Sequence, residues 1–392
     1  MKKLIAIAVV FALVAGAAFA DTSISGNVTA RGKLISDTLD DNDDTKAQTS
    51  GQIETAYIQL SGQNDEGTFG ALARLRGNDG TGKFHRAFVW WQPIPQLRIF
   101  YGQDLDGKFG PYNVWSFFQG QEGYAHNFQS SGFESWGDWR AAFPGNWDKF
   151  GLSFSVYPVQ GVELNLVVPA SGGIGSAGAV GIQSWEGTYG DKALEDVWLG
   201  SLELATSFSI PDIGKAGFTV IGPGSNIFDE NYKGDGKKAA DLGLWFLLTA
   251  VESLDVQLGG AFEIPGKDDE KDYPLKLALI ANYNAGDLGL NFRTRFVLGS
   301  GDDKSFQTEI NVQPSYKLAF MKIFLAIGFA VKDGDTSDDV DAVASVFVNP
   351  YVRVPLGPGE IRIGLHIEDP NLDGDVDKDA KVQVPVMFTY SF

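Results

Sequence analysis

The feature that most constrains this chain is an alternation of apolar and polar residues that recurs between residues 22 and 392. Near its start, Ile24, Val28 and Ala30 fall on one parity, whereas Arg31 and Lys33 fall on the other. Successive side chains of a β-strand face opposite sides of a sheet, so this pattern predicts strands with one apolar face. No stretch beyond residue 20 has convincing helical spacing or the length of a transmembrane helix. The sequence therefore predicts an all-β fold.

Turn signals divide the alternating runs into about eighteen strands. We place them at 22–36, 51–62, 68–77, 84–92, 96–103, 148–157, 162–169, 195–208, 215–222, 240–251, 254–264, 274–283, 287–299, 305–317, 322–332, 341–354, 359–367 and 381–392. Short connections such as QPIPQ alternate with long polar ones such as SDTLDDNDDTKAQTS. This asymmetry is typical of antiparallel up-and-down barrels of the bacterial outer membrane, which have an even number of strands. We predict one such barrel of about eighteen strands, with about sixteen as the alternative.

The stretch VPVMFTYSF at 384–392 predicts how the barrel closes. A sheet in hydrocarbon must pair all of its backbone N–H and C=O groups, so it cannot leave an edge strand open. Phe388, Tyr390 and Phe392 share the apolar parity up to the last residue of this stretch. We therefore expect it to pair with the first strand.

A secreted, soluble solenoid or sandwich would show the same alternation, and aromatic residues argue against it. Some of these residues lie close to predicted strand ends, where a lipid-facing girdle would form. They are Trp91, Trp198, Tyr283 and Tyr351.

The first twenty residues have the pattern of a secretory signal peptide. Lys2 and Lys3 precede an apolar run that ends in Ala18-Phe19-Ala20. Two segments are therefore expected, a signal peptide at 1–20 and a barrel domain at 21–392. The chain has no cysteine, which excludes a lipobox anchor and disulfides. Its 31 basic and 50 acidic residues argue against nucleic acid as a partner.

With its closing strand, the chain resembles the bacterial outer-membrane porins. Their final strand carries a terminal Phe with aromatic or apolar residues two, four and six places before it, which Phe392, Tyr390, Phe388 and Val386 match. The resemblance implies an outer-membrane location among lipid, recognition of this assembly signal by the barrel-insertion machinery, and a homotrimer. It implies a channel for passive diffusion of small hydrophilic solutes and ions, with no cofactor needed for transport.

A long segment after the fifth predicted strand interrupts the alternation. In general porins the third outer loop follows the fifth strand and folds into the lumen, so the resemblance implies a constriction here. The candidate constriction residues are Asp104, Asp106, Tyr112, Trp115, Phe118, Glu122 and Trp136. The many aromatic residues of this segment either hold the loop in place or form a sugar slide, which is a row of aromatic rings on which sugar rings stack. The second reading makes the protein a sugar-selective channel, as in the maltoporins, which share the predicted strand count.

Charged residues on the inner parity are grouped by position in the predicted barrel. A basic wall opposite an acidic wall would set up a transverse field across a wet lumen. The candidate pore-lining residues are Arg31, Arg74, Arg76, Arg86, Arg98, Arg293, Arg295 and Arg353, with Glu163 and Glu203 on the acidic side. Lys33 and Arg362 also share the inner parity, but solvation at the end of a strand explains them equally well.

Two other classes of function stay open at this level. An outer-membrane hydrolase needs a histidine beside a nucleophile or an acid. Of the three histidines, His85 falls on the lipid-facing parity, His126 in the long segment, and His366 on the lumen parity without a Ser or Asp nearby in sequence. This argues against an enzyme. An adhesin or a major structural protein of the outer membrane is the remaining alternative, since acidic outer loops could contact another surface.

The segment DPNLDGDVDKDA resembles a calcium loop in part. Alternate oxygen ligands and a glycine at the sixth place suit Ca²⁺, but the twelfth place, which should be Glu, is Ala380. The candidate ligands are Asp369, Asn371, Asp373, Asp375 and Asp377. A solvated acidic hairpin is the alternative.

Overall fold

The structure is a computed structural model, and it describes residues 21–38, 50–78, 81–103, 150–170, 203–221, 238–265, 275–298, 306–332, 343–369 and 381–392. Within these ranges the chain forms a single antiparallel sheet that closes into a barrel. A helix with the length and apolar content needed to cross a membrane is not found in this part of the chain.

Nineteen strand segments make up the described sheet. They are β1 Asp21–Thr38, β2 Ser50–Gln63, β3 Phe69–Asn78, β4 Thr81–Ile94, β5 Leu97–Gln103, β6 Phe150–Val156, β7 Val162–Ala170, β8 Glu203–Ile210, β9 Gly214–Ile221, β10 Lys238–Val251, β11 Leu254–Pro265, β12 Leu275–Ala285, β13 Leu288–Leu298, β14 Phe306–Lys317, β15 Lys322–Lys332, β16 Val343–Leu356, β17 Gly359–Gly364, β18 His366–Asp369 and β19 Lys381–Ser391.

The segments β17 and β18 form one strand position, because both lie between β16 and β19. The break falls at Leu365, whose N–H donates to the carbonyl oxygen of Pro350 on β16 at 2.9 Å. A proline has no N–H to return the second bond of such a pair, so the ladder is interrupted here. The described barrel therefore has eighteen strand positions, which confirms the predicted number.

The strand β1 closes the barrel by pairing with both β2 and β19. Gly26 and Phe392 exchange two backbone hydrogen bonds, with N···O distances of 2.8 and 3.0 Å. The prediction that residues 384–392 pair with the first strand is confirmed.

Short turns gather at one end of the barrel, which we call the short-turn end. They connect β2 to β3, β4 to β5, β6 to β7, β8 to β9, β10 to β11, β12 to β13, β14 to β15 and β16 to β17. Gly286, with a φ of 59°, is an example of the left-handed conformation that such turns require. The remaining connections join strands at the opposite end and lie outside the described residues.

Large apolar side chains cover the outer face of the barrel. Ile58, Leu244 and Ile327 are among those with substantial exposure. The inner parity of the same strands carries polar and charged residues, as expected for a barrel in lipid. Trp91 and Tyr283 are exposed on the outer face near the short-turn end, in agreement with the predicted girdle.

Tyr351 was wrongly predicted to face lipid. It is only 4% exposed and lies on the lumen parity, where its hydroxyl accepts a hydrogen bond from Gln313 Nε2 at 2.8 Å. Its ring stacks on Phe324, with centroids 4.5 Å apart. The fourth predicted girdle residue, Trp198, lies outside the described residues.

A β-bulge in the β3–β4 pair changes the parity of β4. Arg74 pairs with Arg86 and Leu75 pairs with Phe84, so His85 is the extra residue of the bulge. Because of this insertion, Arg86 takes the lumen position opposite Arg74, and Lys83 takes the one opposite Arg76. Alternation alone had placed His85 on the lipid face.

Candidate pore-lining surface

Five basic residues of β3, β4 and β5 occupy lumen positions along the barrel axis. In the strand register Arg74 pairs with Arg86, and Arg76 pairs with Lys83, so that basic residues occupy opposite positions on the two strands. Arg98 follows on β5, closer to the short-turn end. We call these residues the basic ladder. Like charges directly opposite each other destabilise a sheet, so packing does not explain the arrangement.

Neutral partners hold two of these arginines against the wall. Arg74 donates from Nε and Nη2 to Gln59 Oε1 at 3.0 and 2.6 Å, and its guanidinium carbon lies 4.5 Å from the centroid of the Tyr57 ring. Arg98 makes the same two bonds to Gln92 Oε1 at 3.1 and 2.6 Å, with Trp90 below it at 4.7 Å. A glutamine and an aromatic ring orient a guanidinium without cancelling its charge.

Glu360 changes the predicted basic wall on β16 and β17. Arg353 donates from Nε to Glu360 Oε2 at 2.5 Å, and Arg362 donates from Nε to Oε1 at 2.6 Å. The two cations therefore share one carboxylate, which cancels half of their charge. Sequence reasoning missed Glu360, although it lies two residues before Arg362 on the same parity.

Arg293 and Arg295 lie on the lumen parity of β13, in a compensated part of the wall. Arg293 is only 2% exposed and donates from Nε to Asn291 Oδ1 at 3.2 Å. Arg295 pairs in register with Glu309 on β14, a buried residue that was not predicted. The register therefore places an acidic residue opposite Arg295.

The predicted acidic residues lie on β7 and β8, only two and three strands from β5, and not on the wall opposite the basic ladder. Glu163 pairs with Ser207, and Glu203 pairs with Val167, so both fall on the same parity as the buried Asn165. Arg31 pairs with Met387 on the lumen parity of β1. The role of all these residues as pore-lining groups stays a prediction.

A buried polar cluster on β16, β18 and β19 was not predicted. His366 and Glu368 are 0% and 1% exposed, and His366 Nε2 lies 3.5 Å from Glu368 Oε2. The Phe347 ring lies 5.7 Å from the imidazole. In register with His366 lies Gln383, whose Oε1 has no hydrogen-bond partner in the described part of the chain. The lumen parity of His366 was the signal that could have drawn attention to this cluster.

The three predicted assembly residues lie on the outer face at the seam. Phe388, Tyr390 and Phe392 are each about half exposed, toward the lipid side. The Phe392 ring covers Gly26 of β1, where an added Cβ would overlap it. The predicted closing residues therefore lie at the seam of the barrel.

Several predictions fall outside the described residues. These are the signal peptide at 1–20 and the constriction residues Asp104, Asp106, Tyr112, Trp115, Phe118, Glu122 and Trp136. Of the candidate calcium ligands, Asp369 ends β18, whereas Asn371, Asp373, Asp375 and Asp377 lie beyond it and are not described. Within the described ranges there is no group of three or more side chains suited to hold a metal.

No protein-family model and no curated protein matches the chain. Solved structures nevertheless match its fold. OccK11 (OpdR) of Pseudomonas aeruginosa superposes with a TM-score of 0.55 at 10% identity, over 95% of this chain and 96% of the other. OccD1 (OprD) gives 0.54 at 10% identity over the same shares. An anion-selective porin from Comamonas acidovorans gives 0.49 at 12% identity, over 95% and 99%.

The fold is that of the bacterial outer-membrane porins. A closed barrel with an apolar outer face points to a bacterial outer membrane. At this level of identity the likeness concerns the fold alone, so it does not identify the solute.

Proposed function

We propose that this protein is a porin that lets small hydrophilic solutes and ions diffuse passively across the outer membrane. The observation that carries the proposal is the contrast between the two faces of a closed barrel. Ile58 and Leu244 face outward with large exposure, whereas the basic ladder occupies lumen positions of the same wall. Charged side chains are costly to take out of water, so a wall that carries this many of them is expected to face water.

The proposal is tested by reconstitution in a planar bilayer. The purified, folded protein should give stepwise, ohmic current increments in simple salt, because a wet lumen conducts without gating energy. A protein that folds and inserts but carries no current would contradict the proposal, and would favour an adhesin or a structural protein of the outer membrane. Current that is blocked by maltose at low concentration would favour the sugar-selective alternative.

We also infer that the protein is not an enzyme. Among the histidines, His366 is the one whose side chain the structure describes, and it is fully buried between Phe347 and Glu368. A hydrolytic histidine must reach both a nucleophile and the substrate. Phospholipid and peptide hydrolysis assays on the folded barrel should give no activity above that of an empty detergent control.

The proposed partners follow from the porin fold. Outer-membrane lipid contacts the apolar face, the barrel-insertion machinery recognises the segment that ends with Phe392, and three copies form a homotrimer. The mass of the detergent-solubilised protein, measured by light scattering, tests the trimer. A mass of one chain under mild conditions would contradict it.

Transport needs no cofactor in this proposal, but Ca²⁺ is proposed to bind the connection between β18 and β19. The oxygen ligands of 369–377 suit a hard cation, with affinity in the range of about 10⁻⁴–10⁻³ M that extracellular modules show. Calorimetry on the folded protein should register Ca²⁺ binding that is lost in Asp373→Ala. Identical titrations of the two proteins would exclude the site.

A further inference from the structure

A cleft of about 410 Å³ lies at the short-turn end, between two turns and three strands. Its walls come from the β4–β5 turn, the β6–β7 turn and the neighbouring ends of β7, β8 and β9. The polar residues that line it include Gln96, Tyr157, Glu163, Ser207, Ser209 and Lys215. We call it the charged cleft. Its volume is near the lower end of the roughly 300–1,000 Å³ range of small-molecule sites.

Backbone hydrogen bonds fix the walls of the charged cleft. Tyr157 N donates to the carbonyl oxygen of Gln96 at 2.8 Å, which ties the two turns together. Ser209 N donates to the carbonyl oxygen of Gly161 at 2.7 Å, which ties the second turn to β8. Gly161 has a φ of 82°, a conformation that favours glycine. The cleft is therefore formed before any solute arrives.

Opposite charges lie on the two sides of this cleft. Glu163 on β7 pairs with Ser207 on β8, and Lys215 on β9 pairs with Ser209 two residues further along β8. Glu163 and Lys215 are therefore two strands apart, which puts their backbones about 10 Å apart across the sheet. Neither Glu163 nor Lys215 has an ion-pair partner within the described ranges. The two serines lie between them.

Tyr157 adds a hydrogen-bond donor beside the carboxylate. Its hydroxyl lies 3.5 Å from Glu163 Oε1, in a turn beyond the end of β6. Burial, and then the charge of Glu163, raise the pKa of Tyr157 above its usual value, against a smaller opposing effect of Arg98. The phenol therefore stays protonated at neutral pH.

We propose that the charged cleft is a binding site for small zwitterionic solutes, namely amino acids and dipeptides, at one mouth of the pore. The solute's ammonium group is bound by Glu163, its carboxylate by Lys215, and its polar backbone by Ser207 and Ser209. A solute with a single charge satisfies one of the two residues and leaves the other without a partner. The inference rests on the proposed channel function, since the site is at the mouth of the lumen.

Single-channel recording with glycylglycine tests the proposal, with the dipeptide added to each chamber in turn. Wild-type protein should show brief current blocks, and Glu163→Gln and Lys215→Gln should each weaken the block about tenfold, which corresponds to about 1.4 kcal/mol. Glycinamide and N-acetylglycine, which carry one charge each, should block the wild type as weakly as glycylglycine blocks these variants. The double variant Glu163→Lys with Lys215→Glu should recover the block, because a zwitterion can bind in the reverse orientation.

Two control variants each remove one charge outside the cleft, one negative and one positive. Asp255→Asn and Lys317→Gln lie at lumen positions of the same end, on β11 and β14, and should keep the wild-type block. Equal block in the wild type and in the Glu163 and Lys215 variants would overturn the inference while the current itself still supports a channel. An absence of any current would instead contradict the proposed function. The recovery in the double variant separates loss of binding from loss of folding.

Discussion

Close contacts between glycines and aromatic rings are the most restrictive residue-scale feature of this barrel. In each case the ring belongs to the neighbouring strand and lies where a Cβ would be. The pairs are Gly26 with Phe392, Gly70 with Trp90, and Gly328 with Phe347. The first faces lipid, and the other two lie on the lumen parity. A side chain at any of these glycines would displace a ring that covers the sheet.

Replacing Gly26 by leucine should weaken barrel closure. The new side chain would overlap the Phe392 ring, and overpacking of this kind costs about 1–3 kcal/mol. The expected result is a smaller fraction of heat-modifiable, folded barrel in the outer membrane. Ala30→Leu is the matched control, because Ala30 lies four residues further along the same face and pairs with Phe388. A similar loss in both variants would show that the contact with Phe392 is not the cause.

At the scale of elements, β3 to β5 and β16 to β17 carry similar basic residues with different electrostatic results. Gln59 and Gln92 are neutral groups that orient Arg74 and Arg98. Glu360 instead neutralises half of the charge on β16 and β17. The positive charge that the sequence predicted on β16 and β17 is therefore reduced by Glu360.

Arg98→Gln should shift the reversal potential in a salt gradient toward cations. The ladder attracts anions, because charged side chains that line a pore favour ions of the opposite sign. Arg98→Lys keeps the charge but loses the two-point bond to Gln92, so it should retain most of the wild-type selectivity. If both variants shift the potential equally, the geometry of the guanidinium, and not its charge, controls selectivity.

At the scale of the whole molecule, the sequence predicted architecture well because alternation, turns and closure all follow from a backbone that must be paired in lipid. The predictions that were wrong or missing concern contacts between side chains. Tyr351 was assigned from its distance to a strand end, although the parity of Arg353 already placed it inside. The contact of Glu360 with Arg353 joins neighbouring strands, and alternation does not encode the register that brings the two together.

Deleting residues 112–139 should enlarge the single-channel conductance. The position of this segment, after the fifth strand, is where general porins have a loop that narrows the lumen, and its removal would free cross-section for ions. The aromatic residues it contains are a poor match for an exposed loop, so they are expected to pack against other parts of the protein. Heat-modifiable mobility of the shortened protein controls for folding, because the deleted residues are not needed to pair any described strand. A folded barrel with wild-type conductance would place the segment outside the lumen and would remove the sugar-slide alternative with it.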